Sequence, residues 1–132
     1  MAQLFEYAPA PESRAAAGDI ASTYGHYIDG EFVESTGSEA LKTVDPSTEE
    51  VLAEFAQGTE GDVDRAVAAA RKAFTSWSAL PGAERGKYLF RIARIIQERS
   101  RELAVLESID NGKPIKETRD VDLPLVGAHV VY

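Results

Sequence analysis

The sequence predicts a mixed α/β chain in which short β-hairpins are followed by three to four helices. Three observations carry that expectation. Strand-type residues crowd into 24–55, interrupted by Asp-Gly and Asp-Pro turns. From Thr59 onward, apolar residues recur instead every three or four positions, the period of an amphipathic helix. Ahead of both zones, residues 1–23 are rich in Ala, Pro, Glu and Ser with little periodicity, which reads as an extended N-terminal arm.

Taken in order, Tyr27-Ile28 and Phe32-Val33 flank Asp29-Gly30-Glu31, where Asp-Gly supplies the positive φ angles of a tight hairpin turn. A second pair of strands, 41–44 and 51–55, brackets Asp45-Pro46-Ser47-Thr48-Glu49-Glu50, a proline-containing turn. Thr59-Glu60-Gly61-Asp62 has the form of a capping start, after which Val63, Ala66, Val67, Ala70, Phe74 and Trp77 fall on one helical stripe. Core packing is the expected role of Phe74 and Trp77. Asp62-Val63-Asp64 reads as a charged first turn, favourable to the helix dipole. Leu80-Pro81-Gly82 ends that helix, and Pro81 suits the first turn of the next, whose apolar face is Tyr88, Leu89, Ile92, Ile95 and Ile96. A third helix over 101–109 carries Leu103, Leu106 and Ile109, with Asn111-Gly112 as its stop and Pro114 preventing continuation. Asp122 then reads as the cap of a last helix with Pro124 in its first turn and Leu125, Val126, Val130 and Val131 in its body. No glycine, basic last turn or polar tail follows that apolar stretch, which predicts a chain cut off inside a larger fold.

Composition narrows the functional classes. A net charge of −8 opposes a phosphate-binding surface, because nucleic-acid affinity comes largely from Lys and Arg neutralising phosphates. With no cysteine anywhere, a disulfide framework, a cysteine-ligated metal and a thiolate nucleophile are all excluded for this chain. The start lacks the cationic and apolar regions of a secretory signal, and no apolar run reaches the ~20 residues that span a bilayer. A cytoplasmic location is the expectation.

Most motif readings fail on their spacing. Gly112-Lys113 has Glu107 where a P-loop needs its first glycine and Pro114 where it needs Ser or Thr. No G-x-G-x-x-G follows a strand, and Asp62-Val63-Asp64 lacks the glycine and glutamate of a calcium loop. His26 and His129 have no further ligands at metal-binding spacing, so both read as packed or surface histidines. In Asp110-Asn111-Gly112-Lys113-Pro114, an aspartate faces the unfavourable end of a helix dipole, a cost that a cation or basic partner would offset.

Five ordered segments nevertheless resemble one family. Tyr27-Ile28-Asp29-Gly30-Glu31-Phe32, the Thr43-Val44-Asp45-Pro46-Ser47-Thr48 turn, the helix from Asp62 through Phe74, Glu84-Arg85-Gly86, and Glu107-Ser108-Ile109-Asp110-Asn111-Gly112-Lys113-Pro114 are similar to the N-terminal segment of NAD(P)-dependent aldehyde dehydrogenases. One departure is Glu49, which stands where the family's turn usually has glycine. The resemblance implies the family's α/β fold with only its N-terminal part present: residues 24–132 would be an incomplete part of the cofactor-binding domain. It implies oxidation of aldehydes to carboxylic acids by a cysteine nucleophile, a general-base glutamate and NAD or NADP. Those elements follow later in the family's chain, so no catalytic or cofactor-binding residue is carried over here, and this chain alone is expected to be inactive and to bind no cofactor. The resemblance also implies part of a monovalent-cation site at Thr43, Val44 and Asp110. The rest of the dehydrogenase, or its oligomer, would cover the apolar helix faces, with neither nucleic acid nor membrane as partner. The alternative is a non-enzymatic helical module that complements a partner chain or associates with itself.

Overall fold

The computed structural model describes residues 17–18 and 20–132, so most of the expected arm, residues 1–16 and 19, lies outside the described residues. Five strands, β1 (Thr23–Tyr24), β2 (His26–Ile28), β3 (Glu31–Val33), β4 (Ala40–Val44) and β5 (Val51–Ala56), precede the helices. These are α1 (Glu60–Ala79), α2 (Gly82–Glu98), α3 (Ser100–Asn111), the single turn α4 (Ile115–Glu117), and α5 (Leu123–Val131), which is reached through a π turn at Thr118–Asp122. The order of hairpins followed by helices is the one the sequence predicts.

Each hairpin closes on a residue that accepts the left-handed region. Asp29 and Gly30 have φ of 54° and 89°, and Ile28 pairs with Glu31, so the β2–β3 loop has only two residues. Glu31, read from sequence as part of the turn, is therefore the first residue of β3. In the β4–β5 turn, buried Asp45 organises the chain: its Oδ1 accepts from the Ser47 amide at 2.8 Å and the Ser47 hydroxyl at 2.6 Å. Glu49 holds φ of 61° there, a left-handed residue with a side chain. β5 is central in a three-stranded sheet, antiparallel to β4 and parallel to β1, so Thr23, the last residue of the expected arm, already pairs with Glu54.

The helices start and stop largely where their local chemistry requires. Thr59 caps α1 through a reciprocal pair of bonds with Asp62 at the third helical position. Pro81 opens α2, its carbonyl accepting from the Arg85 amide at 3.1 Å. Gly112 ends α3 at φ of 76° with its amide donating to Ser108 O at 3.0 Å. The expected cap at Asp122 is not formed. Asp122 has helical φ and ψ of −67° and −53°, with no side-chain cap bond. The chain enters α5 already helical through the π turn, whose carbonyl at Thr118 accepts the Leu123 amide, and the Asp122 carboxylate is bound instead by Lys113.

Among the described residues, the buried apolar set is Ala17, Ala53, Ala93, Ala104, Val105 and Leu123, four of them alanines. The helical part of this core lies where α5 packs along α2 and the π turn lies against α3. It holds one larger aliphatic from α3, Val105, which is 2% exposed. The expected core role of Phe74 and Trp77 is not met. Phe74 is 65% exposed, and Trp77, 39% exposed, meets Tyr88 in a T-shaped pair with ring centroids 5.5 Å apart. The stripes read from the sequence are real helical faces, but Val63, Val67, Tyr88, Leu89, Ile92 and Ile95 on them are exposed. No described helix is long and apolar enough to cross a membrane.

Candidate functional site

Two polar junctions tie the hairpins to the helices. The first brings together residues 67 apart in sequence: the Thr43 hydroxyl donates to Asp110 Oδ1. Three local features set up this meeting. β4 and β5 slip register between Thr43 and Val44, because Val44 pairs with Val51 while Thr43 pairs with Ala53. Gly112 sits so close to the β4–β5 turn that a Cβ there would lie 2.8 Å from Pro46 Cγ. The last turn of α3 then places Asp110 on the strand side, where the Thr43 hydroxyl satisfies the carboxylate that the dipole disfavours. Of the three residues singled out from sequence, Thr43 and Asp110 are therefore joined directly, and Val44 follows Thr43 at the irregularity. No cluster of three or more His, Asp or Glu side chains suited to a metal ion occurs among the described residues.

The second junction was legible from sequence only as a capping start and a charged helix turn. Asp62 is 3% exposed and gathers partners from three segments. Its Oδ2 accepts from the Ser35 hydroxyl at 2.6 Å and from the Thr59 amide at 3.0 Å, and its Oδ1 accepts from the Thr36 amide at 3.0 Å. Arg65 Nη2, one turn further along α1, donates to Oδ1 at 2.6 Å and also reaches Glu34 O. Ser35 has a single hydroxyl proton and two acceptors in reach. The charged oxygen at 2.6 Å outcompetes the Gln57 carbonyl at 2.9 Å. These donors, Ser35 first and the Thr59 amide next, outweigh desolvation and hold the Asp62 carboxyl far below the usual carboxylate range. His26 Nε2 is buried 3.5 Å from Asp62 Oδ2 without a formed hydrogen bond. His129 lies elsewhere, its Nδ1 2.9 Å from Leu125 O on its own helix. The histidines thus remain the packed and surface residues the sequence predicts.

A third cluster anchors the end of α3. The Ser108 hydroxyl donates to Lys113 O at 2.5 Å, and the Lys113 amide donates to Asn111 Oδ1 at 2.8 Å. The Lys113 ammonium is bound to Asp122 and lies 3.9 Å from Glu107. The Asp122 hydrogen bond raises its pKa above the ordinary lysine value.

The aldehyde dehydrogenase family model matches residues 32–132. The chain belongs to the aldehyde dehydrogenase family. It is 47% identical over 112 residues to aldehyde dehydrogenase 1 of Tanacetum cinerariifolium, a match covering 83% of this chain and 22% of that protein. Among solved structures it is similar to aldehyde dehydrogenase C of Pseudomonas syringae, determined with NAD+ and octanal, at 40% identity and a TM-score of 0.79. That match covers 83% of this chain and 22% of the other. A Bacillus cereus aldehyde dehydrogenase matches 91% of this chain with a TM-score of 0.83 at 36% identity, over 25% of its own length. The chain spans 22% of the length of the curated relatives it matches.

A helix N-terminus is the natural seat of a pyrophosphate, but the start of α1 is occupied by the carboxylate of Asp62 itself. The cleft beside β1 and β5 carries Glu34, Glu39 and Glu54, whose charge opposes an anionic ligand.

Proposed function

We propose that this chain supplies the N-terminal segment of an NAD(P)-dependent aldehyde dehydrogenase that oxidises aldehydes to carboxylic acids, and that alone it is inactive and binds no cofactor. The observation that carries the reading is the family match over residues 32–132 in a chain without a cysteine. The exposed stripes of α1 and α2 support the second half of it. Apolar faces of this extent are normally covered by protein, and the remainder of the dehydrogenase or its oligomer is the proposed cover. On this reading residues 24–132 are part of the cofactor-binding domain, and the location is cytoplasmic.

Thr43, Val44 and Asp110 are proposed as part of a monovalent-cation site. The Asp110 carboxylate meets β4 at its irregularity, and carboxylate and carbonyl oxygens are the hard donors such an ion takes. Further ligands would come from the rest of the enzyme.

The test has two arms. The purified chain, given NAD+ or NADP+ with aliphatic aldehydes, should form no reduced cofactor, and steady turnover would overturn the reading. Coexpressed with a family enzyme lacking its own corresponding segment, the chain should restore dehydrogenase activity. A chain that assembles only with itself would favour the non-enzymatic module.

A further inference from the structure

We infer that Asn111–Gly112 is a spontaneous deamidation site whose rate is set by opening of the α3 C-cap. Asn111 is the only asparagine in the chain, and the residue after it is glycine, which places no side chain over the backbone nitrogen. Asparagine is a thermolabile residue. In the reaction the deprotonated Gly112 nitrogen attacks Asn111 Cγ, so that an N–C bond forms, the Cγ–Nδ2 bond breaks and ammonia leaves. Water then opens the cyclic imide at either carbonyl, giving aspartate or isoaspartate.

Both residues are exposed, so water and base reach them. The Lys113 amide, 2.8 Å from Asn111 Oδ1, polarises the carbon to be attacked. Two interactions withhold the nucleophile. The Gly112 N–H donates to Ser108 O at 3.0 Å, and Asn111 is still helical, which keeps its Cγ off the line of attack. The Ser108 hydroxyl clamps the same turn by donating to Lys113 O at 2.5 Å. Reaction therefore requires the cap to open.

The consequence falls on the first polar junction. Isoaspartate lengthens the backbone by one carbon between Asp110 and Gly112, where Gly112 is pressed against Pro46 and Asp110 meets Thr43. Both products also replace the neutral amide by a carboxylate, a charge at the unfavourable end of the helix dipole. Either product loosens the seat of the β4–β5 turn on α3.

The full 132-residue chain is incubated at neutral pH in buffer, in denaturing guanidinium, and in buffer as Ser108→Ala, with peptide mass spectrometry and isoaspartate methylation as readouts. Deamidation should appear in all three samples and be slower in buffer than in guanidinium by about tenfold or more, since each ~1.4 kcal/mol of opening free energy is a factor of ten. Ser108→Ala should move the buffer rate toward the denatured one. Equal rates in buffer and guanidinium, an unchanged rate in Ser108→Ala, or no modification in guanidinium would each overturn the inference.

Discussion

The capped start of α1 and its apolar face differ in kind. At its N-terminus, Asp62 draws Ser35, Thr36, Thr59 and Arg65 into a junction where each carboxylate oxygen is satisfied. Along its body, Val63, Val67 and Phe74 point into solvent. The polar end is finished with residues of this chain, whereas the apolar face is unfinished. A hydrogen-bond network needs only a few correctly placed atoms, and a hairpin and a helix start supply them locally. An apolar face needs an area of facing side chains to be dry, and four alanines with one valine and one leucine do not provide it.

Breaking the polar end should have the largest effect. Asp62→Ala removes the acceptor of the Thr36 and Thr59 amides, and their hydrogen exchange should accelerate by about tenfold or more, read by NMR. Because folding lowers the Asp62 pKa, its stabilisation is whole above the ordinary aspartate value of 3.8 and is lost as pH falls below that value. Acid unfolding of Asp62→Asn should lack that steep limb. An unchanged acid limb would mean that Asp62 does not carry the junction.

Within the small core, Val105→Ala should cost about 2 kcal/mol in chemical denaturation, the transfer and cavity terms of two buried methyl groups. Smaller and opposite in sign, Glu49→Gly should stabilise by about 0.5 kcal/mol, relief of a left-handed side chain offset by glycine's extra freedom when unfolded. Smallest of all, Phe74→Glu should leave the stability of the isolated chain within about 0.5 kcal/mol while reducing light scattering. A large loss there would show that Phe74 is packed in solution and would erase the contrast between the start of α1 and its apolar face.

Much of the local architecture was legible because its causes are local. Asp29-Gly30 defines a hairpin through two φ angles, Thr59 caps through atoms three residues away, and Gly112 ends α3 through its own backbone freedom. Asp122 was misread because capping chemistry assumes that a helix begins there, and a preceding π turn had already supplied the bonds. Phe74 and Trp77 were misread because periodicity identifies a face without saying what lies opposite it. Asp62 was underread because a charged first turn looks the same from sequence whether water or Ser35 and Thr36 surround it.

By itself, then, the sequence determined the element order, the turn chemistry and the family, since each rests on residue types at short spacing. Only the tertiary structure decided which carboxylate is buried, which apolar face is covered, and that Thr43 meets Asp110 across 67 residues. Those outcomes depend on how separate elements dock, and docking is set by shape and burial summed over the whole chain, which no local pattern encodes.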